Sequence, residues 1–183
     1  MRASTGQMTG SALRALLRDG TLAGEWTLDP SRSGVRVKTK VWGLIPVHGV
    51  FGEVSGNGTV SAAGTARGTM TVAAASIDTG NARRDTHLRS ADFFETGSYP
   101  DLIFAAEDIR PAGQGVVVSG ALTVHGRTRP LSFDGAVTVP GDGEAWLEAE
   151  VRINRGDFGL TWNQLGMVPM DYTLAIRAIF TRC

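Results

Sequence analysis

The densest run of charged side chains in this 183-residue chain is Arg83, Arg84, Asp85, His87, Arg89 and Asp92. Three guanidinium groups so close together can grip a phosphate or pyrophosphate through paired hydrogen bonds. The same spacing lets Asp85 and Asp92 neutralise them in ordinary ion pairs. The three histidines, His48, His87 and His125, are far apart and lack the HxH or HExxH spacing of a metal site. The sequence has no P-loop, no strand-to-helix GxGxxG turn and no GxSxG elbow. Asp78 and Asp85 are the nearest thing to an acid–base pair, and nothing in the sequence sets them in a cleft. The expectation is a non-catalytic protein with no metal and no cofactor.

Composition bounds what can hold these residues. Lys plus Arg and Asp plus Glu are 18 each, so the formal net charge is zero, which argues against a nucleic-acid partner held by a global positive field. The one cysteine, Cys183, excludes an intrachain disulfide. No stretch reaches the roughly 20 apolar residues of a membrane-spanning helix. Arg14, Arg18 and Asp19 interrupt the N-terminal apolar residues, so a secretory signal is not expected and the reading is cytoplasmic. Residues 1–10 read as a flexible lead and 11–19 as a short helix. Ser11 is the expected N-cap, Leu13, Leu16 and Leu17 form an apolar stripe, and Gly20 supplies the stop. This divides the chain into an extension at 1–24 and a domain at 25–183.

From residue 25 onward the apolar period changes to two. Val35, Val37 and Val41 alternate with Arg36, Lys38 and Lys40, and Leu174, Ile176, Ala178 and Phe180 share one parity. Eight long strands are expected, at 34–42, 47–54, 67–77, 102–109, 115–124, 129–139, 145–153 and 172–182. Turn signals are read at Ser55-Gly56-Asn57-Gly58, Ala112-Gly113-Gln114-Gly115, His125-Gly126-Arg127 and Pro140-Gly141-Asp142-Gly143. So many strands linked by short turns predict an all-β, eight-stranded antiparallel barrel, which has no exposed edges. Two excursions interrupt it. Residues 80–97 carry the charged run and a short helix, and residues 155–171 hold Phe158, Trp162, Leu165, Met167 and Met170.

A barrel of eight strands either fills with side chains or holds one small ligand. Gly68, Ala74, Gly120 and Gly135 share the inner parity with Met70, Val72, Leu122 and Phe133. Small wall residues leave room for a chain-like lipid in a barrel about 25 Å tall. The same glycines also suit bends and bulges in a filled core. Trp42 falls on the outer parity, where it can contact a partner, and Trp162 is placed to line a mouth. Trp26 and Trp146 complete the bulky anchors.

Several stretches follow one another in a recognisable order: Trp26-Thr27-Leu28-Asp29-Pro30, Gly49-Val50-Phe51, Ser76-Ile77-Asp78-Thr79-Gly80 and Arg84-Asp85-Thr86-His87-Leu88-Arg89-Ser90-Ala91-Asp92-Phe93-Phe94. Tyr99-Pro100, Gly120-Ala121-Leu122-Thr123-Val124-His125-Gly126-Arg127-Thr128 and Arg155-Gly156-Asp157-Phe158-Gly159 come after them. Over about residues 25–182 the chain resembles the YceI family of lipocalin-like, polyisoprenoid-binding proteins. The resemblance implies a lipocalin-like barrel, often a homodimer, that binds polyprenyl chains, isoprenoid quinones or fatty amides. Many relatives carry a His where Val41 stands here, and His48 occupies a position that is often basic.

The function expected is binding, transport or sequestration of a long amphipathic lipid. Fatty acid or fatty amide binding and an enzyme acting on such a lipid are the alternatives. Met70, Val72, Phe94, Phe104, Leu122 and Phe133 are expected to line the chain's path, together with Phe158, Trp162, Met167, Leu174 and Ile176. His48, Arg83, Arg84, His87 and Asn154 are the candidates for the polar head group.

Overall fold

Alternation of apolar and polar side chains puts one face of each strand in a core, and the barrel follows from it. The computed structural model describes residues 6–141, 143–163 and 166–183. The strands are β1 (Gly24–Leu28), β2 (Gly34–Val41), β3 (Ile45–Phe51), β4 (Val54–Val60), β5 (Ala66–Ala73) and β6 (Ile77–Asp78). They continue as β7 (Asp101–Ala112), β8 (Gly115–Val124), β9 (Arg127–Gly141), β10 (Glu144–Asn154) and β11 (Asp171–Arg182). Helix α1 spans Gly10–Arg18 and α2 spans Ala82–Arg89.

The ring runs β1-β4-β5-β7-β8-β9-β10-β11, and β11 pairs back onto β1 to close it. Every pairing is antiparallel. The eleven segments make eight staves because three staves are bent. β1 and β2 form one stave, broken between Leu28 and Gly34, and β3 and β4 form the next, broken at Gly52 and Glu53. β6 extends β5 past a 3-10 turn at Ala74–Ser76 and pairs with β3. β11 serves both halves of the first stave. Its Thr173–Arg177 stretch pairs with β2, and Phe180–Arg182 pairs with β1.

The closed, eight-stave antiparallel barrel agrees with the sequence expectation. Three local readings are corrected. Ser55-Gly56-Asn57-Gly58 is no turn but the middle of β4, opposite Gly68–Thr71 of β5. Glycine is needed there because a Cβ on Gly56 would overlap the carbonyl oxygen of Thr69. The turn signal was a close approach of two backbones. The other links behave as read: β8 and β9 are joined by His125-Gly126, both with positive φ (51° and 71°), as a tight hairpin turn requires. Asp142, in the expected Pro140–Gly143 turn, lies outside the described residues.

The second correction concerns residues 6–10, the described part of the expected flexible lead. Gln7 bridges to Thr138, Met8 N donates to Val137 O at 2.8 Å, and Gly10 N donates to Gly113 O. Third, the N-cap of α1 is Thr9, whose hydroxyl accepts from Ala12 N at 3.2 Å, and not Ser11. Ser11 is instead hydrogen-bonded to the Thr9 hydroxyl.

The leucine stripe of α1 faces the barrel. Leu13 is buried against Val116 and Val118 of β8. Truncating it removes apolar contact that the surrounding strands cannot replace. Leu13→Ala is expected to cost about 2–5 kcal/mol in urea unfolding, with a smaller loss for the less buried Leu16→Ala.

Candidate functional site

The inward faces of the staves do not fill the barrel. They enclose a cavity of about 700 Å³ with overwhelmingly apolar walls. At one end it is bounded by Leu13 and Leu17 of α1 together with Leu22 and Trp26. Trp26 is itself fixed by an indole N–H bond to Leu22 O at 3.0 Å. At the other end stand His87 of α2, Trp162 and Met167 of the second excursion, Arg155 and Tyr172. The cavity therefore runs the length of the barrel, and the close-packed interior that sequence left open is not what forms.

A belt of small residues crosses the wall. Gly58 of β4 faces Gly68 of β5, Gly68 faces Ala106 of β7, and Ala106 faces Gly120 of β8. The first three border the cavity. Gly120 has a second reason to be glycine, since a Cβ there would run into the carbonyl oxygen of Ala105. Larger side chains stand on either side, with Phe104 and Phe133 packed at 5.4 Å between ring centres.

All eleven apolar candidates, Met70, Val72, Phe94, Phe104, Leu122, Phe133, Phe158, Trp162, Met167, Leu174 and Ile176, lie on the cavity wall. Leu165 lies outside the described residues. Phe94 is wedged edge-on against Phe51 and Phe93, at 5.9 and 4.9 Å.

The polar candidates separate. His87 borders the cavity and packs against Trp162 with ring centres 4.3 Å apart and the planes tilted by 58°. Its Nδ1 is 3.9 Å from Asp92, and its Nε2 is buried with no hydrogen-bond partner among the described residues. The hydroxyl of Thr39 on β2 is buried and unpartnered in the same sense, and Thr39 also borders the cavity. Both lie at the end covered by the second excursion: His87 rests on Trp162, and Trp42, just past Thr39, donates its N–H to Met167 O. Buried polar atoms are rarely left unpaired unless something else meets them.

Arg83 borders the cavity from the exposed side of α2, with no ion pair among the described residues. Arg84 also borders it, but its guanidinium is spent on Thr79, donating to Oγ1 at 2.8 Å and to the carbonyl at 2.9 Å. Arg89 donates to the carbonyls of Ala75 and Ile77. Asp85 is buried and accepts from Thr79 N and Oγ1 at 3.0 and 2.5 Å. The charged run therefore fastens α2 to the chain that precedes it. It forms neither a phosphate clamp of three arginines nor the expected ion pairs with Asp85.

Two head-group candidates are corrected. His48 is exposed on the outer face of β3 and faces Lys38 across the strands, because Val47 and Gly49 hold the inner parity. Asn154 does not border the cavity. Its Oδ1 accepts from Gly156 N at 2.9 Å and its amide donates to Asp171, capping the 3-10 turn at Arg155–Phe158.

Three residues at this end were missed. Thr39 shares the inner parity of Val37 and Val41, and Tyr172 that of Leu174, so alternation could have found both. Burial pushes the Tyr172 phenol up, opposed in part by the nearby Arg155 charge, and keeps it neutral. Arg155 is 2% exposed and carries no salt bridge among the described residues. It donates instead to four carbonyls, Leu160, Trp162 (2.8 Å), Val168 (3.2 Å) and Pro169 (3.0 Å). Burial lowers its pKa from the ordinary arginine value. Its only sequence signal was membership of the Arg155–Gly159 stretch.

No group of three or more His, Cys, Asp or Glu among the described residues could hold a metal ion. No described helix is long and apolar enough to cross a membrane.

Residues 26–180 match the family model described as YceI-like domain. An Escherichia coli protein named YceI is 34% identical over 112 residues, which span 58% of that protein and 58% of this chain. BcnA of Burkholderia cenocepacia superimposes with a TM-score of 0.75 at 22% identity, over 83% of this chain and 98% of that one. A polyisoprenoid-binding domain from Saccharophagus degradans does so with a TM-score of 0.69 at 16% identity, over 86% and 98% of the two chains.

Proposed function

Since this chain belongs to the YceI-like domain family, we propose that it binds one long-chain amphipathic lipid of the polyisoprenoid or isoprenoid-quinone class, and carries or sequesters it unchanged. The observation that carries this reading is the cavity itself, apolar along the length of the barrel and ending at two buried polar atoms without partners among the described residues. An extended hydrocarbon gains from leaving water along such a wall. The likeness to the polyisoprenoid-binding domain of Saccharophagus degradans supports the class. A non-catalytic role is supported by the engagement of Arg84, Asp85, Arg89 and Arg155 in contacts that pin α2 and the second excursion in place.

Native mass spectrometry and solvent extraction of freshly purified protein test the proposal. A lipid bound at one per barrel is expected. Protein that carries none, and takes up neither prenyl nor acyl probes, would overturn it.

In this reading the polar end of the lipid meets His87 Nε2 and Thr39 Oγ1. The double variant Thr39→Val with His87→Phe keeps the shapes and the ring contact with Trp162 while removing both polar atoms. It is expected to bind a prenyl alcohol or quinone probe about tenfold more weakly, the equivalent of one or two net hydrogen bonds. Affinity for a hydrocarbon probe without a head group should not change in a parallel fluorescence titration.

A further inference from the structure

The β2–β3 hairpin carries four of the five large apolar residues that are exposed among the described residues. At its tip Trp42 is 61%, Leu44 83% and Ile45 51% exposed, and Val50 lies further along β3. Trp42 is held at φ 52°, a left-handed conformation that bulky residues seldom adopt, so the tip presents a large indole where a turn would ordinarily have a small polar residue. A cluster of this kind is uncommon on a water-facing turn and marks a contact surface.

The charge around the tip says what kind. From Pro30 to Gly52 the sequence has no Asp or Glu, while Arg32, Arg36, Lys38 and Lys40 supply four positive charges. On a chain of zero net charge this is a local segregation. Arg32 is paired with Glu144, and Lys38 reaches Glu150 at 3.4 Å. Arg36 and Lys40 are exposed and make no ion pair among the described residues. The acids on neighbouring strands are Asp78 of β6, opposite Val50, Glu148 and Glu150 of β10, and Asp171 of β11; Asp78 accepts from Gly80 N and Asp171 from Asn154.

Trp, Leu and Ile at a tip with unpaired cations behind them match the two layers of an anionic bilayer surface: acyl boundary, then charged head groups. The tip also adjoins the cavity end. Trp42 N bonds Met167 O, and Met167, Thr39, Val41 and Val47 all border the cavity.

We propose that the β2–β3 hairpin is a membrane-docking device that inserts Trp42, Leu44 and Ile45 into the surface of a bilayer rich in anionic lipid. The docked protein holds the polar end of its cavity against the membrane.

The test is co-sedimentation of the full chain with vesicles of phosphatidylglycerol and phosphatidylcholine, compared with phosphatidylcholine alone. Preferential binding to the anionic vesicles is expected, with weakening as salt is raised. Leu44→Ser with Ile45→Ser is expected to lower the partition coefficient at least tenfold, and Lys40→Glu several-fold. Both changes are at exposed positions, and unaltered circular dichroism will show that the fold is intact. Equal sedimentation with and without vesicles overturns the proposal. So does a wild-type dimer that the Leu44→Ser, Ile45→Ser variant converts to monomer with vesicle binding unchanged, which would make the tip a contact between two copies of the chain. The assay reads protein on vesicles and not lipid in the barrel, so its failure leaves the cavity reading to its own test.

Discussion

Replacing Ala106 with Trp is expected to abolish uptake of a prenyl probe while the barrel stays folded. Ala106 sits in the belt where Gly68 lies on one side and Gly120 on the other, with Gly58 beyond. None of these residues sends a side chain past Cβ into the interior. An indole placed there projects into the cavity that a lipid chain would thread. In a filled core such an insertion costs about 1–3 kcal/mol of strain; here the open space beside it absorbs most of that. Probe affinity should fall at least tenfold, about 1.4 kcal/mol or more, with the thermal midpoint shifted by only a few degrees. Unchanged uptake by a folded Ala106→Trp protein would mean that the lipid does not pass the middle of the barrel.

The largest loss of stability is expected at Arg155. Its guanidinium binds four carbonyls of the segment from Leu160 to Pro169, and its face lies 5.7 Å from the Phe93 ring. Arg155→Met keeps much of the stem and removes every donor. Carbonyls buried without partners each cost about 1–3 kcal/mol, and some will recover water. A net loss of about 3–5 kcal/mol follows, or roughly 6–20 °C in the midpoint for a chain of this size. Arg155→Lys should recover little of it, because one ammonium group cannot reach four acceptors spread around a planar fork. A differential scanning experiment on the three proteins checks the order. If Arg155→Met melts with the wild type, the guanidinium is not what holds the second excursion in place.

The sequence revealed what depends on repetition. The period of two found part or all of each of the eight staves, missing β1 at Gly24–Leu28 and most of β4, and the runs 80–97 and 155–171 stood out because they broke it. Close approach of backbones was hidden, since Gly56 and Gly58 look like turn residues until β5 is brought alongside, with the Thr69 carbonyl against Gly56 and Gly68 opposite Gly58. Commitments of polar groups were hidden too. Arg84 and Arg155 resemble ligand-binding cations in sequence, and only the fold shows their donors aimed at backbone carbonyls. His87 is the reverse case: the charged run around it suggested an ion-paired surface, whereas its Nε2 is buried and has no partner among the described residues. Thr39 was passed over because its valine neighbours define the strand more loudly than one hydroxyl does.

The double pairing of β11 has a consequence for the order of assembly. This strand joins β10 to β2 along its first half and to β1 along its second, with Trp26 opposite Arg182. Partners so distant in the chain meet late and slowly. While the protein is being made, the edges of β1, β2 and β10 have nothing to pair with until residue 182 has left the ribosome. A nascent chain stalled before that point is an open sheet with free strand edges and an uncovered apolar face, the form most prone to stick to its neighbours. Ring closure thus waits for the last strand, and the cavity comes into being with it.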